Sequence, residues 1–118
     1  MKLTPKLHGI IDYAVVLFLL LAPMSFGLPS LTTVFTITLA FVHLILTLAT
    51  NFEMGVIKII PFKIHGWIEL IVSVSLIGIA FYLGSIEGSV ARNFYLIFSG
   101  SIFAAWLVSD YSSAAAKH

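Results

Sequence analysis

Four runs of about 20 mostly apolar residues, at 7–26, 31–50, 64–83 and 90–109, constrain this chain more than any other feature. Each is long enough for a helix to cross a hydrocarbon core about 30 Å thick. A backbone in lipid must satisfy its own polar groups, which leaves helices or a closed barrel, and runs of this length read as helices. Only 9% of the 118 residues are charged, against roughly 25% in an average soluble domain, so lipid has to solvate most of the surface. The expected fold is therefore all-α, a four-transmembrane-helix bundle forming a single membrane domain over residues 1–118. Turn chemistry marks the breaks: Gly27-Leu28-Pro29-Ser30, Pro61 ahead of the third span, and Gly84-Ser85-Ile86-Glu87-Gly88. Short connections make consecutive spans antiparallel neighbours, and Pro23 is expected to end or kink the first.

The first run imitates a signal peptide, with Lys2 and Lys6 ahead of an apolar stretch ending Leu21-Ala22-Pro23. Asp12 interrupts that stretch, and the same pattern returns in mid-chain, so the reading is a retained helix. Lys2, Lys6, Lys58, Lys63 and Lys117 fall on one side of the four spans, and Arg92 alone falls on the other. The positive-inside bias then puts both termini and the middle connection in the cytoplasm of a cell (inner) membrane. Phe52, Phe62, Trp67 and Tyr111 read as the inner aromatic belt, and Phe26, Phe81, Tyr82, Phe94 and Tyr95 as the outer one. The expected partners are the lipid bilayer and a second copy or another membrane protein. A net charge of +1 without a basic run gives no surface for nucleic acid. The absence of cysteine excludes disulfides and thiolate metal sites.

An internal repeat organises the chain. Lys6-Leu7-His8-Gly9-Ile10-Ile11-Asp12 aligns without a gap on Lys63-Ile64-His65-Gly66-Trp67-Ile68-Glu69, and Thr50-Asn51-Phe52 matches Ser109-Asp110-Tyr111. Two tandem two-helix units, 1–57 and 58–118, must insert with the same orientation. That predicts a pseudo-two-fold axis along the membrane normal, with matching residues at equal depth. The histidine-and-acid openings, together with Thr50-Asn51-Phe52-Glu53-Met54-Gly55 followed by Pro61-Phe62-Lys63-Ile64-His65, resemble the SPW-repeat family of small bacterial membrane proteins. The resemblance covers most of the chain and implies the same two-helix units. The name-giving tripeptide reads Ala22-Pro23-Met24 in the first unit and Ala80-Phe81-Tyr82 in the second. The family brings no established reaction.

Polar groups inside apolar spans are costly and therefore informative. His8 and Asp12 share a face of the first helix, as His65 and Glu69 do on the third, with each acid about 6 Å deeper than its histidine. His43, Thr47, Thr50 and Asn51 form a polar stripe on the second helix, and Tyr95, Ser99, Trp106 and Asp110 lie approximately on one face of the fourth. If these faces meet, the candidate polar or ion site comprises His8, Asp12, His43, His65 and Glu69, with Asn51 and Asp110 at its mouth. Two imidazoles and two carboxylates suit zinc or iron. Protonatable pairs could equally relay protons. Haem would need a second chain to provide another mid-depth histidine beside His43.

The competing expectation is structural. His8 and His65 would anchor at the headgroup boundary, and Asp12 and Glu69 would favour the positive ends of their helices. Ser101, Ala105 and Ser109, with Gly100 and Ala104 beside them, read as a small-residue packing face within the bundle or between protomers. No phosphate loop, nucleophile elbow or catalytic triad pattern occurs, and the sequence requires no cofactor. The leading functional expectation is a non-enzymatic interaction, assembly or membrane-homeostasis module. The alternative is a small transporter or a proton- or metal-binding protein built on the histidine–carboxylate cluster.

Overall fold

The computed structural model describes residues 3–51 and 55–109, Asn51 by its backbone alone. Four helices account for almost all of it: α1 (Pro5–Phe26), α2 (Ser30–Ala49), α3 (Phe62–Glu87) and α4 (Ser89–Val108). Each is long and apolar enough to cross a membrane, and together they pack as a bundle of two antiparallel hairpins, α1–α2 and α3–α4. Large aliphatic and aromatic side chains cover the outside, as a lipid solvent requires. Leu19, Ala40, Leu76, Ala80, Leu83, Ala91, Tyr95, Phe98 and Ile102 fill the centre.

Helix boundaries follow the repeat. α1 begins at Pro5 and α3 at Phe62, the residue aligned with Pro5, while the ends of α2 and α4 lead directly into the aligned Thr50 and Ser109. Helix ends leave carbonyls unbonded, a serious cost in a bilayer. Here the chain entering the odd helix of one hairpin covers the end of the even helix of the other. Leu3 forms a parallel bridge with Ser109, and its amide donates to the Val108 carbonyl. In the aligned place, Ile60 pairs in parallel with Thr50, and the amides of Val56 and Ile59 reach the Leu48 and Ala49 carbonyls. The two hairpins thus latch each other around the pseudo-two-fold axis.

Several expectations need correction. Residues 84–88 do not form a loop: α3 continues through Glu87, and only Gly88 separates it from α4. Gly84 serves close approach, since a Cβ there would stand 2.6 Å from Arg92 Cβ. The reversal itself falls on Gly88, whose φ of 104° suits a residue without a side chain. Pro23 neither ends nor breaks α1. It lies within the helix, which runs on to Phe26 and closes when the Gly27 amide donates to the Pro23 carbonyl.

Glu87 occupies the end of the added turn and caps α2. Its carboxylate accepts from the Leu31 amide (2.9 Å), the Thr32 amide (2.6 Å) and the Thr32 hydroxyl (2.6 Å). The N-cap residue, Pro29, supplies no side-chain cap, and the acid comes from the neighbouring hairpin. Tyr95 is not an outer-belt residue. It is fully buried, and its hydroxyl hydrogen-bonds to that of Thr36. Phe62 is likewise buried, edge-on to the His8 ring at 5.2 Å, whereas Phe26, Trp67, Phe81 and Tyr82 are exposed as belts should be. Phe52 and Tyr111 lie outside the described residues.

Candidate functional site

His8 and Asp12 lie on the first two turns of α1, and His65 and Glu69 on the same turns of α3. Thr4 caps α1 by accepting from the Leu7 amide, and Pro5 sets the first turn, which fixes the direction in which His8 leaves the helix. Gly9 and Gly66, next to the histidines, are buried. The four side chains meet on the pseudo-two-fold axis, 2%, 3%, 0% and 4% exposed for His8, Asp12, His65 and Glu69. This overturns the expectation of histidine anchors at the headgroup boundary. The imidazoles face inward because Phe62 and the opposite hairpin close over them.

The contacts cross the axis as well as following each helix. His8 Nε2 lies 3.2 Å from Asp12 Oδ2 and 3.1 Å from Glu69 Oε2. His65 Nε2 lies 3.1 Å from Asp12 Oδ2 and 3.9 Å from Glu69 Oε2. Donor atoms of all four residues fall within 4.8 Å of one another. A tetrahedral ion with ligands at about 2.0–2.1 Å has ligand-to-ligand edges of about 3.3 Å. The mixed nitrogen–oxygen edges therefore match the shell of such an ion, with one edge stretched.

Each imidazole is also held from behind. His8 Nδ1 is 2.6 Å from Ser109 Oγ, and His65 Nδ1 is 2.7 Å from Thr50 Oγ1. Both hydroxyls spend their single proton on the carbonyl four residues earlier, Ala105 for Ser109 and Leu46 for Thr50. They can then only accept from the ring, so Nδ1 carries the hydrogen in each histidine. A neutral imidazole so arranged turns the lone pair of Nε2 toward the carboxylates. Acceptor would face acceptor at about 3.1 Å, so a proton or a cation must lie between them. If both acids are ionised, they call for two positive charges. An imidazole oriented through its far nitrogen, with the near one turned to a shared point, is the usual arrangement of a metal-ligating histidine.

His43 joins from α2, its Nε2 3.5 Å from Asp12 Oδ1 and its side chain 12% exposed. It contacts the Asp12 oxygen that does not meet His8 and His65, outside the group of four. The position aligned with it on α4 is Ile102, and the two-fold symmetry of the cluster ends there. Thr47 is buried and bonds back to the His43 carbonyl. Asn51 sits in the short parallel pair that follows α2, and Asp110 lies outside the described residues.

Thr50 and Ser109 are held to the histidines by contacts that no local spacing reports; their match across the repeat is the signal the sequence carries. The small-residue face is divided between the interior and the outside of the bundle. Ser109 is buried and used by His8, whereas Gly100, Ser101 and Ala104 are exposed. No family model, curated protein or solved structure matches the chain.

Proposed function

We propose that this small multi-pass membrane protein binds one divalent transition-metal ion of the zinc type, with His8, Asp12, His65 and Glu69 as ligands. One observation carries the reading: two imidazoles with their far nitrogens engaged by hydroxyls, and two carboxylates, turn toward a single buried point at ligand spacing. Burying two carboxylates is expensive unless their charge is matched, and one divalent ion matches it. Imidazole nitrogen and carboxylate oxygen together suit zinc or iron better than magnesium or calcium, which favour oxygen alone. This favours the ion-binding alternative over a module for interaction or assembly alone. No reaction is assigned.

With both termini in the cytoplasm, as the lysines imply, the site lies about 10 Å inside the cytoplasmic ends of α1 and α3, seven residues from Pro5 and from Phe62. The likeness to SPW-repeat proteins supports the same two-unit architecture. The test is metal content. Protein purified in detergent, equilibrated with zinc and desalted, should retain about one ion per chain by elemental mass spectrometry. X-ray absorption at the zinc edge should give a nitrogen–oxygen shell at about 2.0–2.1 Å. His65→Ala and Asp12→Asn should retain none while staying folded by circular dichroism. A folded wild-type protein that holds no zinc, iron or manganese would remove the proposal.

A further inference from the structure

A groove of about 540 Å³ runs along the outside of the bundle between α1 and α4. Phe26 and Val90 line its outer end, and its inner end reaches Asp12 and Glu69. Between them the wall is almost wholly apolar. Phe18, Phe94 and Phe98 stand in it with ring planes 8–18° apart, forming a flat slab. The corresponding space between α2 and α3 amounts to only about 60 Å³, lined by His43 among others. On α4 the place of His43 is taken by Ile102, and the space beside the acids is open. The pseudo-symmetric halves thus differ in one respect: one side of the cluster is closed by an imidazole, and the other faces a lipid-accessible channel.

We infer that this groove binds a single-chain amphiphile with a small, neutral, hydroxyl-bearing head, its tail along the phenylalanine slab and its head at Asp12 and Glu69. The volume lies within the roughly 300–1,000 Å³ of small-molecule sites, which typically have apolar walls and a few polar groups at one point. The polar point here is carboxylate, which accepts hydrogen bonds and so selects a donor. The demand for a neutral head rests on the cation reading above: with a divalent ion in place the two carboxylates are already neutralised, and a second positive charge gains nothing. Depth excludes the phospholipids of the bilayer. Asp12 and Glu69 sit about 10 Å inside their helices, too deep for a phosphate headgroup but within reach of a hydroxyl.

The experiment uses the full chain in phosphatidylcholine nanodiscs and three photoactivatable probes with the same mid-chain diazirine: hexadecanol, its methyl ether, and a phosphatidylcholine. Crosslinked peptides are mapped by mass spectrometry, and zinc is measured on the same samples. The alcohol should label the α4 segment around Phe94 and Ile97 saturably, with roughly threefold to tenfold preference over the ether, the worth of one hydrogen bond in a bilayer-embedded site. Ser101→Phe, placed in the groove and not one of the four ligands, should abolish that preference and leave zinc content unchanged. Equal labelling by all three probes would overturn the inference and define the groove as a furrow filled by bulk lipid. Labelling of the alcohol that Ser101→Phe does not reduce would also overturn it. Zinc bound without alcohol selectivity refutes the groove site alone, and selectivity without bound zinc refutes the cation reading alone.

Discussion

The hydroxyls behind the two histidines give the sharpest test of the proposed metal centre. Ser109→Ala removes the acceptor 2.6 Å from His8 Nδ1, and Thr50→Val removes its counterpart 2.7 Å from His65 Nδ1, replacing it with a methyl group of similar size. Neither change touches a ligand atom, so any effect on metal passes through the orientation and tautomer of the ring. Taking away one partner of a buried hydrogen bond costs about 1–3 kcal/mol, a factor of roughly 5 to 150 in an equilibrium constant. Changes behind metal ligands typically weaken affinity by about 10–100-fold, which agrees. Each variant should therefore bind zinc about 10–100-fold more weakly than wild type in competition with a chromogenic chelator in detergent. Thr47→Val is the internal control. Its hydroxyl is equally buried and makes the same bond to a carbonyl four residues back, but no imidazole contact is made to it. It should change zinc affinity by less than about threefold, the ordinary range for a surrogate without a metal role. If Ser109→Ala and Thr50→Val bind zinc as tightly as Thr47→Val does, the argument from ring orientation is wrong.

His43→Leu should keep the fold and the stoichiometry but weaken zinc by about tenfold, because it removes the partner of Asp12 Oδ1 rather than a ligand. Loss of zinc as complete as in His65→Ala would make it a ligand. In this cysteine-free chain, a single cysteine at Ser30 should react with an impermeant thiol reagent in intact cells, and one at the exposed Lys58 should not. The reverse pattern would invert the orientation. Glu87→Ala should lower the melting temperature in detergent, and Glu87→Gln should recover part of it, because an amide oxygen still accepts from the Leu31 and Thr32 amides. An unchanged melting temperature in both would show that α2 needs no cap from α3.

Much of the architecture is legible in the residues because lipid leaves few alternatives. A run of 20 apolar residues has to be a helix, and two gapless matching openings have to sit at equal depth. Asp12 and Glu69 are identifiable as partners across an axis for that reason. Their histidines are harder, because an imidazole at a helix start can face a headgroup or the bundle. What decides is the packing of Phe62 and the opposite hairpin over the ring, a contact between distant segments that no local spacing reports. Thr50 and Ser109 are visible as a matched pair, but their assignment to His65 and His8 depends on how the hairpins dock. Glu87 is misleading in sequence for a related reason. Glycine and serine around it signal a turn, whereas the helix gains from continuing until the acid reaches the bare amides of α2. Tyr95 and Phe94 are adjacent aromatics near a helix start, and helical phase alone turns one inward to Thr36 and leaves the other on the groove.

The latching of each hairpin by the other has a consequence for how the molecule comes together. His8 from α1 takes its hydroxyl from Ser109, just past α4, and His65 from α3 takes its hydroxyl from Thr50, just past α2, so neither hairpin carries a finished half-site. Two inserted hairpins that have not yet docked offer an ion only separate histidine–acid pairs. Whatever free energy an ion bound by the complete set of four gained over those pairs would then be free energy of association between the hairpins. By mass action, an ion at 100 times its dissociation constant would add at most about 2.7 kcal/mol to holding them together, less whatever it gains from the separate pairs. Apolar helices in a bilayer have no hydrophobic drive to associate, so that contribution is large beside the packing terms available to them. A cation held there would act as a clasp whose closure reports that both halves of the chain have arrived, and its withdrawal would loosen the membrane domain along the seam between them.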